Sequence, residues 1–383
     1  MGLQYLFVAS GATILVPILT GIPVSACLFS AGVGTLIFHF VTKRKVPILL
    51  SSSFAFIAPI IAVSETFGSS YAFGAIFLAG LVYLLFALII YLVGIERVIK
   101  LFPTTVTATM VILIGLILAP VAIDGASSNW LIALITFAIG VFVKVFWEKQ
   151  LLGSLSVILA IIGGTIIAAI GGLVDFSTQV AFVSLPDFTL PQFSWGAISI
   201  IVPIAIVTFL EHFADISAVS KVVDQDFLED PGVHRTLIGD GIATAFAGLI
   251  GGCPNTTYSE NIGALEMTGV KKPVTLRITA VLLIILAFFP GLAMMIHSIP
   301  GAVIGGISIL LFGMIASNGV RSLSKVDFAD FKNMIIVASM LIVGVGGTVI
   351  DIIGVQFSSL AVAAALGVVL NLAFNFKSIF NKG

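Results

Sequence analysis

The sequence predicts an all-α polytopic membrane protein of fourteen spans, arranged as two inverted seven-span repeats. Three observations predict it. Of 383 residues, 59% are hydrophobic and 9% charged, against about 25% charged in an average soluble domain. So little charge cannot cover a water-facing surface, and the mean hydropathy is +1.24. Apolar stretches of roughly 17–25 residues, the length of a bilayer-crossing helix, fill nearly the whole chain. They are continuously apolar rather than alternating, which argues against a β-barrel. The third observation is where the basic residues fall.

The expected spans are about 3–20, 23–42, 47–63, 71–93, 103–122, 129–147, 152–172, 196–220, 235–252, 255–268, 273–296, 300–317, 332–350 and 357–376. The 17 Lys and Arg residues all lie in or beside the connections that follow even-numbered spans. Connections after odd-numbered spans carry none. The positive-inside rule then puts both termini in the cytoplasm of a cell-membrane protein. No cleavable signal is expected, since the first apolar stretch opens at Leu3. Seven is odd, so the second half enters from the opposite face. The repeats, 1–190 and 191–383, are therefore inverted, a secondary-transporter design.

Two spans are too polar for lipid. Span 3 contains Ser51-Ser52-Ser53-Phe54-Ala55-Phe56-Ile57-Ala58-Pro59, and span 10 contains Cys253-Pro254-Asn255-Thr256-Thr257-Tyr258-Ser259-Glu260-Asn261-Ile262-Gly263. They correspond under a seven-span shift. Irregular backbone at membrane depth is tolerated only inside protein or along a water-filled cavity. Each is expected to hold a short extended strand followed by a half-helix whose N-terminal N–H groups face a site. The alternative is polar helix packing through Ser and Gly.

Glu211, Asp215, Asp240 and Glu260 fall within spans, and Glu266 lies near the end of span 10. A charge at the bilayer centre costs roughly 2.5–3.5 kcal/mol on insertion scales, so each needs a reason. Glu211 and Asp215 are four apart and share a helix face. Two such carboxylates resist joint ionisation, and a proton held there would couple transport to the proton gradient. His212 points about 100° away. The alternative is structural carboxylates satisfied by hydroxyls and backbone N–H groups. His39, His234 and His297 sit at span ends in interfacial positions. Cys27 and Cys253 do not suggest a disulfide framework. No metal-ligand cluster, P-loop or nucleophile triad occurs, so neither an enzyme nor a cofactor is expected.

Glu260-Asn261-Ile262-Gly263 with Thr268-Gly269 resembles the signature of the nucleobase–ascorbate transporter family, also called nucleobase:cation symporter-2. Pro254-Asn255-Thr256-Thr257-Tyr258 resembles its uracil permease branch. The likeness extends to Gly11–Pro17, Ser52–Ile57, Glu211-His212 and Asp230-Pro231-Gly232-Val233-His234-Arg235. The resemblance implies a core domain (1–95 and 196–297) and a gate domain (96–195 and 298–383). It implies proton-coupled nucleobase uptake by a homodimer. It implies that Glu211 and Glu260 hydrogen-bond the base and that Phe54 packs on the ring. Ala12 is implied at the pocket, and the Tyr258 and Ser259 backbone beside the base.

The chain departs from the uracil permease pattern at four places. Asp215 stands for a histidine, Asp240 for an asparagine, Phe312 for a tyrosine and Gly269 for a basic residue. The two aspartates resemble the xanthine and urate branch, whereas Glu260 resembles the uracil branch. Uracil is favoured, with a purine such as xanthine as the alternative. Proton coupling is assigned to Glu211, Asp215 and Asp240. An anion transporter of the sulfate permease type shares the architecture but calls for a positive site, and no Lys or Arg falls at mid-span. No nucleic-acid partner is expected.

Overall fold

A computed structural model describes residues 2–147, 150–174, 182–257, 262, 265, 269, 271–352 and 355–380. It is mostly helical, as the continuously apolar stretches dictate. The chain opens with α1 (Gly2–Thr20) and α2 (Val24–Val41). Strand β1 (Ser51–Ser52) and a 3₁₀ turn (Phe54–Phe56) lead into α3 (Ile57–Thr66), and α4 (Ser69–Val93) and α5 (Ile95–Leu101) follow. Next come α6 (Thr104–Ile117), α7 (Ala119–Ser127), α8 (Trp130–Phe146), α9 (Leu151–Ser154) and α10 (Ser156–Ile170).

The second half begins with α11 (Trp195–Ile201), α12 (Ile204–Val223) and α13 (Val233–Ile250), followed by β2 (Asn255–Thr256). It continues through α14 (Pro273–Leu286), α15 (Pro290–His297), α16 (Gly301–Leu323) and α17 (Phe331–Val345). A hairpin of β3 (Ile350–Ile352) and β4 (Val355–Phe357) precedes α18 (Ser359–Phe380). Among the described residues, six helices are long and apolar enough to cross a membrane. A seventh is added if α14 and α15, bent by 85°, form one span.

Several expected spans are interrupted, each where the backbone ladder breaks. α6 passes to α7 just before Pro120, α11 to α12 at Pro203, and α14 to α15 at Pro290. Proline lacks an N–H and crowds the preceding turn, which explains all three. The β3–β4 hairpin falls where a short connection between spans 13 and 14 was expected.

Packing gathers the helices into two sets. In the first, α13 lies along α4 and α2, while α14 packs on α2 and α1. The approach is backbone to backbone: a Cβ on Gly80 would come within 2.4 Å of the Ala245 nitrogen, and one on Gly248 within 2.4 Å of the Phe77 nitrogen. In the second set, α16 packs on α6, α7 and α8, α8 on α10, and α17 on α18 and α6. Helix α12 touches α4 and α13 of the first set and α6 and α18 of the second.

The non-helical stretch before β1 is buried, so its backbone groups need partners. The Thr35 hydroxyl accepts from the Leu50 N–H at 2.9 Å, and His39 Nε2 meets the Ile48 carbonyl at 2.7 Å. Both side chains come from α2. This gives His39 a buried structural role (1% exposed) where an interfacial one was expected. The cysteines are free and buried, with the Cys253 N–H donating to Cys27 Sγ at 3.2 Å.

Candidate substrate-binding site

The two polar runs meet. β1 and β2 pair antiparallel, Ser51 opposite Thr256 and Ser52 opposite Asn255. The Ser53 N–H extends the pairing to the Pro254 carbonyl at 3.0 Å. Side chains anchor this crossing on both sides: Thr13 and Ser51 share a hydroxyl hydrogen bond of 2.7 Å, and Thr244 donates to the Asn255 carbonyl at 2.6 Å. Residues 51–53 and 255–257 are all buried. After the ladder, α3 begins at the 3₁₀ turn and brings its positive dipole end to the same place.

A cavity of about 150 Å³ lies against this crossing, walled by Ser52, Ser53 and Phe54, by Thr256 and Thr257, and by Glu211 and Asp215. α6 and α16 close the far wall through Met110, Ile114 and Ile315. Thr107, Asn318 and Ser322 carry the cavity toward the end of the bundle that holds Lys100 and Arg321. Glu211 and Asp215 thus share the cavity-facing side of α12, as the spacing of four predicts. Asp215 is 2% exposed. The Ser52 and Ser53 hydroxyls are buried here, and among the described residues neither meets a hydrogen-bond partner. A buried hydroxyl without a partner is costly, which suits a site that receives a polar ligand.

Phe54 meets Phe312 edge-to-face, ring centroids 6.3 Å apart. Phe312 is buried behind Phe54 rather than lining the cavity. Ala12 is likewise buried, on the helix that packs on β1, and is not part of the lining. Phe54, Ala55 and Ile114 also line a second cavity of about 180 Å³ on the opposite side, with Ala62, Ile117, Val349 and Ser359. The two cavities have these three residues in common. Tyr258, Ser259, Glu260 and Glu266 lie outside the described residues.

Asp240 does not line the cavity. It is fully buried in α13 and faces His212, Oδ2 to Nδ1 at 2.9 Å. On the other ring edge, Nε2 lies 2.9 Å from the Thr236 hydroxyl, which itself reaches the Val233 carbonyl at 3.0 Å. A neutral imidazole has one donor and one acceptor nitrogen. If Thr236 donates to Val233, Nε2 must donate to Thr236. Nδ1 then takes a proton from Asp240, or both nitrogens are protonated against a carboxylate. If Thr236 donates to Nε2 instead, Nδ1–H donates to Asp240. In every arrangement one proton lies between Nδ1 and Oδ2. Thr257, on the cavity wall, is 3.4 Å from Nδ1 and links the pair to the cavity.

The sequence singled out Glu211, Asp215 and Phe54, and all three reach one cavity. It named Thr257 within the polar run of span 10 without giving it a role, and it did not single out Thr107, Asn318 or Ser322. Threonine and serine in apolar helices also serve packing, so their type alone carries no signal. Asn318, a polar amide near the end of an apolar span, was the available clue. Among the described residues no cluster of His, Cys, Asp and Glu could hold a metal.

Comparison with known proteins gives this geometry a context. Residues 1–353 match the Permease family model Xan_ur_permease. The chain is similar to the uracil permease of Bacillus caldolyticus, 42% identical over 97% of this chain and 90% of that one. It is also similar to those of Bacillus subtilis strain 168, at 40% over 97% and 91%, and Escherichia coli K12, at 34% over 99% and 91%. Among solved structures, the transmembrane domain of the cyanobacterial bicarbonate transporter BicA matches with a TM-score of 0.67 at 16% identity, covering 97% and 95% of the two chains. The murine Solute Carrier 26 family member A9 anion transporter matches with a TM-score of 0.75 at 12% identity, covering 98% and 68%. These two likenesses are of fold alone.

Proposed function

The chain belongs to this permease family, the nucleobase–ascorbate transporters, and from that membership we propose that it carries uracil across the membrane by proton symport. The observation that carries the substrate reading is full-length similarity to uracil permeases, joined to a cavity lined by both Glu211 and an aromatic ring, Phe54. Uracil offers two ring N–H donors and two carbonyl acceptors. Carboxylates are strong acceptors for the first. The Ser52, Ser53 and Thr257 hydroxyls supply donors for the second. Phe54 stacks on the ring, a contact worth about 0.5–1.5 kcal/mol beyond area burial. Glu260, with the backbone at Tyr258 and Ser259, completes the base-binding set in this reading, and Ala12 and Phe312 shape it from behind.

Proton coupling is part of the proposal. Glu211 and Asp215 share one face and one cavity, so the pair favours holding a proton. Behind them the His212–Asp240 pair holds another, one hydroxyl away. A proton passing along Thr257 would tie occupancy of the cavity to the charge of α12. The wider reading is fourteen spans in two inverted repeats, with a gate (96–195 and 298–383) moving against a core (1–95 and 196–297). It is supported by the two packing sets, by the paired strands of spans 3 and 10, and by the neighbours' fold. In this orientation the basic end is cytoplasmic, as are both termini, and the working form is a homodimer.

A purine is the second reading. Asp215, an acceptor inside the cavity, replaces the donor a histidine would offer to a base carbonyl. The test is a thermal-shift screen of uracil, thymine, xanthine, hypoxanthine and urate on purified protein. Uracil at a hundred times its dissociation constant should add about 2.7 kcal/mol of stability. A shift with xanthine and none with uracil overturns the uracil assignment.

A further inference from the structure

A groove of about 820 Å³ opens on the outside of the bundle where α2, α4 and α13 part at the basic end, away from the substrate cavity. Its walls are apolar: Val41 from α2, Leu84, Ala87 and Leu88 from α4, and Ile238 and Ile242 from α13. Its mouth is polar and aromatic: Phe40, Tyr91, His234 and Arg235. Leu84, Leu88 and Tyr91 follow one face of α4, and Arg235, Ile238 and Ile242 one face of α13. The helices are antiparallel, so Tyr91 and Arg235 stand at the same height, and the Tyr91 and His234 rings are 5.5 Å apart. From that mouth the groove runs seven residues down α13, about 10 Å at 1.5 Å per residue. Phe40 and Tyr91 are 78% and 71% exposed, so the molecule itself does not cover it.

The charge at the mouth selects the occupant. The Lys43 N–H donates to the carbonyl of Phe40 at 3.2 Å, so this residue follows directly on the Phe40 side of the mouth. The loop after α2 turns through left-handed backbone at Lys43 and Arg44, which carries these basic residues past the end of the helix. The ion pair at this end joins Asp230 to Lys45, the next residue of that loop. Among the described residues no carboxylate pairs with Arg44 or Arg235, and Asp230, held by Lys45, also feels the charge of Lys43. An apolar slot about 10 Å long, capped by guanidinium, ammonium and phenol groups, matches a phosphodiester with an acyl chain. Arginine grips phosphate through two parallel N–H groups, and basic pockets between helices on the cytoplasmic side suit anionic lipid headgroups.

We propose that this groove is a binding site for one anionic phospholipid of the leaflet on the basic side. Its phosphate sits on Arg235 and Lys43, with the Tyr91 hydroxyl donating, and one acyl chain lies along Leu84, Leu88, Ile238 and Ile242. The site holds the start of α13, where Thr236 next to Arg235 supports His212. Lipid occupancy therefore steadies the helix that carries Asp240.

The test is native mass spectrometry of the full chain in detergent with phosphatidylglycerol or phosphatidylcholine at equal concentration. Wild type should retain one phosphatidylglycerol over phosphatidylcholine by about fivefold per basic contact at the surface. Arg235→Gln should remove most of that preference, and Leu88→Trp, which fills the slot, should remove binding of both lipids. A monodisperse gel-filtration profile controls for folding of each variant. Equal retention of the two lipids by wild type, or an unchanged preference in Arg235→Gln, overturns the proposal. So does displacement of the lipid by inorganic phosphate, which would mark a headgroup-only anion site. Loss of a dimer rather than of lipid in Leu88→Trp overturns it as well, since a second copy would then be the occupant.

Discussion

At the residue scale, position separates three carboxylates of the apolar helices, Glu211, Asp215 and Asp240. Glu211 and Asp215 were legible as partners because a spacing of four on a helix fixes their shared face. Asp240 was legible as a carboxylate in need of a reason, but its partner was not. His212 is 28 residues away in the chain, and only the packing of α12 on α13 brings the two together. The prediction here is a split between two substitutions. Asp240→Asn keeps a side chain that can hydrogen-bond Nδ1, so the fold should survive while the pH dependence of uracil uptake flattens. His212→Ala removes one member of a buried pair and should cost about 3–5 kcal/mol of stability, seen as a lower melting temperature. Full pH-driven uptake by Asp240→Asn in proteoliposomes would leave Glu211 and Asp215 as the proton holders.

At the scale of elements, the sequence marked apolar helices well and breaks poorly. Among the described residues, six of those helices are long and apolar enough to cross a membrane, or seven with the bent pair. The bend of 85° between α14 and α15 was hidden, because Pro290 lies inside a stretch that is apolar throughout. The β1–β2 pairing was legible only as two polar runs, since pairing is a contact between residues some 200 positions apart in the chain. The α4–α13 crossing rests on glycine. Gly80 faces the Gly241 carbonyl and the Ala245 backbone, so a side chain there meets backbone that cannot turn aside. Gly80→Val should therefore lower the melting temperature and the folded yield sharply, beyond the roughly 1–3 kcal/mol typical of overpacking. Gly313→Ala, with open space around it, should leave both intact. A gentler link joins the loop after α2 to the loop before α13. The Lys45 ammonium hydrogen-bonds Asp230 and holds its carboxyl below the usual carboxylate range. A lowered folded-state value means the stabilisation is complete above the ordinary value of about 4 and is lost as pH falls through the lowered one. Melting curves of wild type and Asp230→Asn should differ slightly at neutral pH and converge on acidification below that point. A gap that persists in acid would assign the difference to something other than this ion pair.

At the scale of the whole molecule, two cavities end against the same three residues, Phe54, Ala55 and Ile114. One reaches toward the basic end through Thr107, Asn318 and Ser322, the other away from it through Ala62, Val349 and Ser359. A transporter must never join the two sides at once, so such a wall is where access would alternate. The wall also unites the packing sets. Phe54 and Ala55 belong to the first, whereas Ile114 and the Phe312 ring behind Phe54 belong to the second. Sliding one set past the other would therefore move the wall without unfolding either. None of this could be read along the chain, because a void is a property of the assembled helices. Its consequence is measurable with single cysteines, since Cys27 and Cys253 are fully buried and do not compete. In oriented proteoliposomes, Asn318→Cys should react with a membrane-impermeant maleimide from the cytoplasmic side and Ser359→Cys from the other. Saturating uracil should change both rates, because a ligand with unequal affinity for the two arrangements shifts their populations. Adding Phe54→Ala should remove the ring that divides the cavities, so that Ser359→Cys also reacts from the cytoplasmic side. If that thiol stays protected, the barrier is set by the helices around Ile114, and Phe54 serves the base alone.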